Sequence, residues 1–243
     1  MNRAQRAATA RKVASRETAL VHRLAALTLE YPTAELVALV PTLTAALAEL
    51  PARLRAPLEP LVEHLAAHDL ADLEAEYVAT FDLRRRCSPY LTYFAYGDTR
   101  KRGVALVEFK QACRRAGFEV VDDELPDHLC VVLELSSAQD PAAQEEGLRL
   151  LLAHRAGLEL LRLALVDARS PWAGVLVAVC ATLPALAGDE REAVARLAAE
   201  GPPDEEVGLE PFAPPGSLGP PGSLDSAAPQ PLPMPTTRVG APR

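Results

Sequence analysis

Apolar residues recur at helical spacing along most of the chain between residues 16 and 200. Leu20, Leu24 and Leu27 repeat with Arg16 and Arg23 opposite them, which predicts an amphipathic helix over about 16–30. No alternating β-branched run is long enough to predict a strand. Similar patterns, divided by prolines, predict further helices at about 34–50, 59–67, 69–81, 127–138, 140–168, 170–187 and 189–199, and one that begins at about 99 or 102 and ends at about 116.

This pattern predicts an all-α protein, a single-domain helical bundle of about eight to nine helices over residues 16–200. Pro41 should bend the 34–50 helix, and the leucine repeat at 140–168 predicts one continuous central core helix. Residues 82–99 have no sustained period and contain Pro89 and Gly97. We expect a long ordered loop there, and loops of this length are often functional.

The two ends of the chain differ from the helical region in composition. Residues 1–16 carry five cations and no acid, so we expect residues 1–15 to be a flexible basic arm. The last 43 residues, 201–243, hold twelve prolines and six glycines, and the segment PPGSL occurs twice. Such a tract cannot bury enough apolar surface to offset its ordering entropy, which predicts a disordered tail.

Charge, cysteine spacing and the length of apolar segments argue against a nucleic-acid-binding, disulfide-bonded or membrane-spanning protein. The formal net charge of −8 gives no overall electrostatic attraction to nucleic acid or to anionic membranes. The four cysteines are far apart and show no CxxC spacing, so we expect reduced thiols. No segment approaches the ~20 apolar residues that a spanning helix needs. We therefore expect a cytoplasmic protein that neither binds nucleic acid nor inserts into a membrane.

The region 77–103 concentrates the side chains that suit protein recognition. Six aromatic residues lie within 77–96, although aromatic residues make up only 5% of the chain, and two basic triplets occur at 84–86 and 100–102. Tyr and Arg supply contact area at low entropic cost, so this composition indicates a surface that binds another polypeptide. The alternative is structural: Tyr77, Phe81 and Phe109 could all be core, and Arg84–Arg86 could pair with Asp82 and other acids.

Motifs for cofactors or catalysis are scarce. His64 and His68 share one helix face, as in some metal sites, but no further ligand stands at a suitable spacing. The turn GDTRKRG lacks the spacing of a phosphate-binding loop, and no nucleophile elbow or Cys/His pair stands out. We therefore expect no catalytic residue, no metal and no cofactor. A nucleotide-binding regulatory protein and a single-stranded nucleic-acid module remain alternatives.

The segment FDLRRRCSPYLTYFAYGDTRKRG, followed about twenty residues later by ELPDHL, resembles the NarJ family of assembly chaperones for respiratory nitrate reductase. The resemblance covers about residues 16–187. It departs from the family where many members have histidine at Phe94 and Tyr96, serine at Thr99 and proline at Cys130. A role that needs imidazole at 94 or 96 is not expected here, whereas aromatic packing is preserved.

The resemblance implies an all-helical cytoplasmic protein that binds the apo catalytic (alpha) subunit of nitrate reductase. It implies contact with the subunit's N-terminal segment and a second contact elsewhere, while molybdenum cofactor is inserted and before membrane docking. The chaperone would be absent from the finished enzyme. A chaperone for another molybdoenzyme is the alternative within this class.

The aromatic composition and the resemblance together predict a partner-binding groove. In it, an amphipathic segment would lay its apolar face on the rings, and acids would meet its cations. The predicted contact residues are Tyr77, Phe81, Tyr90, Tyr93, Phe94, Gly97, Asp98, Arg100, Arg102, Gly103, Glu124, Leu125, Pro126, Asp127 and His128.

Overall fold

Helices account for most of the chain in the computed structural model, which describes residues 3–97, 99–120 and 124–200. The predicted all-α class is confirmed: the described residues contain one isolated β-bridge and no longer strand. The helices are α1 (Arg3–Thr28), α2 (Ala34–Ala38), α3 (Val40–Ala48), α4 (Ala52–Arg55), α5 (Glu59–Ala67), α6 (Leu70–Tyr77), α7 (Tyr93–Tyr96), α8 (Arg100–Arg115), α9 (Leu129–Ser136), α10 (Pro141–Ala153), α11 (Arg155–Asp167), α12 (Ala173–Thr182) and α13 (Gly188–Glu200).

The first helix begins at Arg3, whereas the apolar pattern predicts a start near Arg16. Residues 3–15 are rich in Ala, Arg, Gln and Lys and contain no Gly or Pro, so their backbone favours a helix even without an apolar face. The backbone of residues 3–15 is therefore helical, and the flexibility expected of the basic arm at residues 1–15 stays a prediction. The predicted tail, 201–243, lies outside the described residues.

Two helices predicted as continuous are divided in the structure. The 34–50 segment breaks at Leu39, which leaves Pro41 in the first turn of α3, where its missing N–H costs nothing. The 140–168 segment breaks at His154, whose φ of −109° and ψ of 26° are not helical. The His154 ring packs against Phe109 of α8, with 4.9 Å between ring centroids. These breaks, with the short helices α4 and α7, raise the helix number above the predicted range.

The core forms where α1 packs against α9 and α12, while α11 packs against α12 and α13. Its largest fully buried side chains include Leu133, Leu158, Leu161 and Trp172. Gly174 of α12 permits a close backbone approach, because a Cβ there would stand 1.9 Å from the carbonyl oxygen of Pro57. Helix α12 and the segment between α4 and α5 can therefore touch only where a side chain is absent.

A buried histidine joins three core helices. His22 of α1 is fully buried, with Nδ1 2.8 Å from the Ser136 hydroxyl and Nε2 2.9 Å from the Thr182 hydroxyl. Burial lowers the pKa of His22 to about 4, because the charged imidazolium would lose its hydration. A neutral imidazole therefore links α1 to the end of α9 and the end of α12.

Within the described ranges, no helix combines the length and the apolar character needed to cross a bilayer.

Candidate functional site

The two segments that carry the family resemblance lie directly against each other. Tyr90 and His128 form an isolated antiparallel β-bridge. The Leu91 N–H donates to the Asp127 carbonyl at 3.0 Å, and the Leu129 N–H donates to the Pro89 carbonyl at 2.9 Å. Residues 89–92 and 127–129 therefore pair through their backbones, although neither segment belongs to a strand.

Asp127 is the centre of this contact. Its side chain is fully buried, and one carboxylate oxygen accepts hydrogen bonds from both the hydroxyl and the N–H of Thr92. The guanidinium of Arg102 lies 3.5 Å from the same oxygen and also donates to the Thr92 hydroxyl at 3.3 Å. A buried charge needs such partners to offset its lost hydration, so Asp127 fixes Thr92 and Arg102 as one unit.

Tyr90 and His128 complete the same unit with their rings. Their centroids are 5.2 Å apart in an edge-to-face arrangement, and the Arg102 guanidinium lies 5.1 Å above the Tyr90 ring. His128 also caps α9, because its Nδ1 accepts a hydrogen bond from the Cys130 N–H. Burial lowers the pKa of His128, opposed by the Asp127 charge, and a neutral ring with Nδ1 as acceptor fits this cap.

Gly97 ends α7 in a conformation that other residues rarely adopt. Its φ is 54° and its ψ is −149°, and it is buried. Its N–H donates to the Tyr93 carbonyl at 2.7 Å, which closes the turn after α7. The predicted turn at Gly97 is present, and its backbone conformation favours glycine because a Cβ would be strained at this φ. Asp98, predicted beside it, lies outside the described residues.

Tyr77 and Phe81 are core residues, so the expectation that they line an open groove is wrong. Both pack edge-on against Trp172, with ring centroids 5.6 Å and 5.5 Å from the indole. The Tyr77 hydroxyl donates to the Leu29 carbonyl at 3.0 Å, and the Trp172 Nε1–H donates to the Thr28 carbonyl at 2.9 Å. The Tyr77 hydroxyl and the indole N–H therefore donate hydrogen bonds to carbonyl groups at the end of α1 that have no partner within the helix.

The remaining predicted contact residues divide by exposure. Tyr93 and Phe94 are buried at 8% and 6% exposure, and Phe94 packs near Gly157 of α11. Pro126 and Asp127 are also buried, and Asp127 takes part in the pairing described above. The residues that a partner can reach directly are the exposed Arg100, Gly103, Glu124 and Leu125 and the half-buried Tyr90, Arg102 and His128.

An open cleft of about 800 Å³ lies beside the loop. Its walls come from the 84–87 segment with Phe94, from α11 and from the end of α13, and they include Arg84, Arg85, Arg86, Leu160, Leu163 and Leu197. Of the five aromatic residues predicted to line a groove, Phe94 alone reaches this cleft among the described residues. The composition of the loop indicated one wall of this cleft, but the α11 and α13 walls were missed, because the exposed Leu163 and the half-buried Leu160 and Leu197 look like ordinary helix surface.

Three consecutive arginines stand at the rim of this cleft. Arg84, Arg85 and Arg86 are exposed, and within the described part of the chain their side chains make no ion pair or hydrogen bond. The alternative that they pair with Asp82 is therefore not observed. Cys87 follows them, is 2% exposed and anchors the segment; burial raises the pKa of its thiol.

The histidine pair at the end of α5 serves structural contacts. His64 Nε2 lies 2.6 Å from a Glu76 carboxylate oxygen, and His68 Nδ1 lies 2.9 Å from the His64 carbonyl. Among the described residues, no group of three or more His, Cys, Asp or Glu side chains could hold a metal ion. The four cysteines are free, and Cys87, Cys113 and Cys130 are buried.

Comparison with known proteins places these features in a family. The family model for the nitrate reductase delta subunit matches residues 47–178, more than half of the chain. The nitrate reductase-like protein NarX of Mycobacterium tuberculosis (strain H37Rv) is 41% identical over 121 residues, covering 50% of this chain and 18% of NarX.

Two chaperones named NarJ also match. A Bacillus subtilis (strain 168) protein, named as a probable nitrate reductase molybdenum cofactor assembly chaperone, is 34% identical over 113 residues, 46% of this chain and 61% of its own length. Escherichia coli (strain K12) NarJ is 33% identical over 85 residues, 35% of this chain and 36% of its own length. The chain thus spans less than two thirds of each relative. The matched range contains both paired segments, and the chain belongs to the nitrate reductase delta subunit family, as the resemblance to NarJ predicts.

Proposed function

We propose that this protein is an assembly chaperone of respiratory nitrate reductase. It binds the apo form of the catalytic (alpha) subunit, supports molybdenum cofactor insertion and holds the subunit before it docks at the membrane. It is then absent from the finished enzyme. The observation that carries the proposal is the family match over residues 47–178, together with NarJ relatives that are named as cofactor assembly chaperones.

The arrangement of the matched segments supports a binding role for the loop between α6 and α8. Asp127 holds Thr92, and the backbone hydrogen bonds of Leu91 and Leu129 hold residues 89–92 at a fixed position. A loop that is fixed before binding loses little conformational entropy when a partner arrives. The anchor of the loop is thus built into the fold, while the exposed and half-buried residues around it stay available for contact.

The partner contact that we propose uses the accessible residues around this anchor. Glu124 and Leu125 are exposed immediately before the paired segment, and Arg100 is exposed at the start of α8. Leu125 offers an apolar contact, while Glu124 can meet a cation in the N-terminal segment of the alpha subunit. The half-buried Tyr90 ring provides the contact area at the centre.

The chaperone acts by occupancy. It binds a segment that the immature subunit exposes, which lowers the free energy of the unfinished state relative to aggregated states. Folding or cofactor insertion then withdraws the segment, and the complex dissociates because the bound conformation is no longer available. No bond has to be made or broken by the chaperone in this scheme.

Affinity purification of the tagged protein from cells that produce nitrate reductase tests this proposal. We expect the alpha subunit to co-purify, and more strongly from cells in which molybdenum cofactor synthesis is blocked, because the apo form then accumulates. Mass spectrometry of the bound material distinguishes nitrate reductase from another molybdoenzyme. Absence of the alpha subunit from the purified material, under conditions where it is present in the extract, would refute the proposal.

A further inference from the structure

We propose that the cleft between the Arg84–Arg86 segment, α11 and α13 is a second docking site, separate from the contact residues around Asp127. Its occupant is an apolar polypeptide segment of the partner that carries carboxylates along one edge. This inference rests on the proposed function for the identity of the partner, and on the geometry of the cleft for the chemistry of the segment.

The floor of the cleft favours an apolar occupant. Leu163 is 39% exposed although it is a large aliphatic side chain, and Leu160, Leu197 and Ala164 are half-buried beside it. Covering these side chains with another apolar surface removes them from water at about 25 cal/mol per Å². A volume of about 800 Å³ accommodates several side chains of a polypeptide.

The rim determines the charge of the occupant. Arg84, Arg85 and Arg86 bring three positive charges to one edge, and no described acid forms an ion pair with them. The chain as a whole has a net charge of −8, so this edge is a local exception. Guanidinium groups bind carboxylates in a bidentate geometry, which favours acidic side chains at this edge.

Asp167 determines the direction in which a segment can bind in the cleft. It lies on the α11 wall of the same cleft and is exposed. Its negative charge repels carboxylates on that wall, so the acids of the bound segment must face the arginine edge. A segment with acids on one side and neutral or basic residues on the other therefore fits in one direction only.

A polypeptide fits this cleft better than a small polyanion does. Small-molecule sites orient their ligands with several convergent polar groups inside the pocket. Among the described lining residues, the charged groups are confined to the exposed Arg84–Arg86 and Asp167, and the walls between them are leucine, alanine, Phe94 and the Cys87 thiol. An apolar groove with charges at its edge is the usual receptor for an amphipathic segment.

Binding of two designed peptides to the full chain tests this site. Both are amphipathic peptides of about fifteen residues with the same leucine and alanine face, and one carries Glu along its edge where the other carries Lys. We expect the Glu peptide to bind about tenfold more tightly, an advantage that weakens as salt concentration rises. Equal affinities for the two peptides would overturn the proposal.

Charge reversal at the rim provides the matched variant. Arg85→Glu/Arg86→Glu should reverse the peptide preference, whereas Lys110→Glu/Arg114→Glu, an equal charge change at exposed positions of α8, should leave it unchanged. Arg85→Ala/Arg86→Ala removes the preference without reversing it, and thermal unfolding confirms that each variant folds. An equal loss in the α8 variant contradicts the site. So does displacement of the Glu peptide by inorganic pyrophosphate at matched ionic strength.

The same variants separate this inference from the proposed function. If the wild-type protein fails to retain the alpha subunit while the Glu peptide still binds in the expected way, the chaperone assignment fails and the cleft remains a docking site. If the alpha subunit is retained equally by the wild type and by Arg85→Glu/Arg86→Glu, and the peptides show no preference, the docking site fails and the chaperone assignment remains.

Discussion

Asp127 accepts hydrogen bonds from both the hydroxyl and the N–H of Thr92, across 35 residues of sequence, and its carboxylate is fully buried. This pair joins two segments between which α7 and α8 lie in the sequence. Asp127 therefore holds the loop from the inside and does not present its charge to a partner. The residues around it, and not Asp127 itself, remain accessible for binding.

Replacement of Asp127 by alanine should therefore destabilise the fold. The change removes two hydrogen bonds and leaves the Arg102 guanidinium, whose side chain is 14% exposed, beside an empty position. We expect a loss of about 3 kcal/mol in the free energy of unfolding, measured by urea denaturation. Glu124→Ala is the matched control, because this acid is exposed, and it should change stability by less than about 0.5 kcal/mol. Equal effects of the two substitutions would contradict a structural role for Asp127.

Helical periodicity was enough to predict the fold class but not the pairing of these segments. Spacing of leucines reports which face of a helix is buried, and it does so locally. The contact between Pro89–Thr92 and Asp127–Leu129 depends on backbone hydrogen bonds between distant residues, for which no period exists. The resemblance brought both segments into the candidate site, but their sequences alone do not reveal that one anchors the other.

The aromatic residues show why exposure is hard to predict from composition. Tyr77 is the last residue of α6 and Phe81 follows this helix, at positions that suit either a surface or a core, and Trp172 is far away in the sequence. The structure brings all three rings to the end of α1, where Tyr77 and Trp172 donate to free carbonyls. The aromatic-rich sequence therefore indicated a candidate region, while the burial of each ring was decided by tertiary packing.

Tyr77→Phe tests this buried role. Loss of the hydrogen bond to the Leu29 carbonyl should cost about 1 kcal/mol of folding free energy, while the ring remains packed against Phe81 and Trp172. Thermal denaturation measures the cost, and calorimetry with the partner's N-terminal peptide should show unchanged affinity. Tyr31→Phe serves as control, since Tyr31 is 45% exposed. A weaker affinity of Tyr77→Phe with unchanged stability would place the Tyr77 hydroxyl at the binding surface instead.

The two glycines Gly174 and Gly103 should respond to alanine in opposite directions. A Cβ at Gly174 would stand 1.9 Å from the Pro57 carbonyl oxygen, so α12 must move away from Pro57. We expect the free energy of unfolding to fall by about 3 kcal/mol. A Cβ at Gly103 meets nothing within 4 Å, and an alanine in α8 should add roughly 0.5–1 kcal/mol. Urea unfolding of both variants measures the difference, and a stable Gly174→Ala protein would contradict the close approach.

Stability should fall on mild acidification because of His22. Its pKa is lowered from 6.5 to about 4 in the folded protein, so between these pH values the unfolded chain binds a proton that the folded chain does not. The contribution of His22 to the free energy of unfolding is therefore fully present above pH 6.5. It decreases as the pH falls, by about 1.4 kcal/mol per pH unit and roughly 3 kcal/mol in total. Burial lowers the pKa of His128 and of His154, which adds to the loss in the same direction.

His22→Gln isolates the contribution of this one group. Glutamine can keep a hydrogen bond to the Ser136 or Thr182 hydroxyl but does not titrate, so the variant should be less stable near pH 7 and lose less stability on acidification. The gap in unfolding free energy between the two proteins should narrow from pH 6.5 to pH 4. His68→Gln, at an exposed histidine, should follow the wild-type curve. A gap that stays constant with pH would show that the buried imidazole is not what makes the fold acid-sensitive.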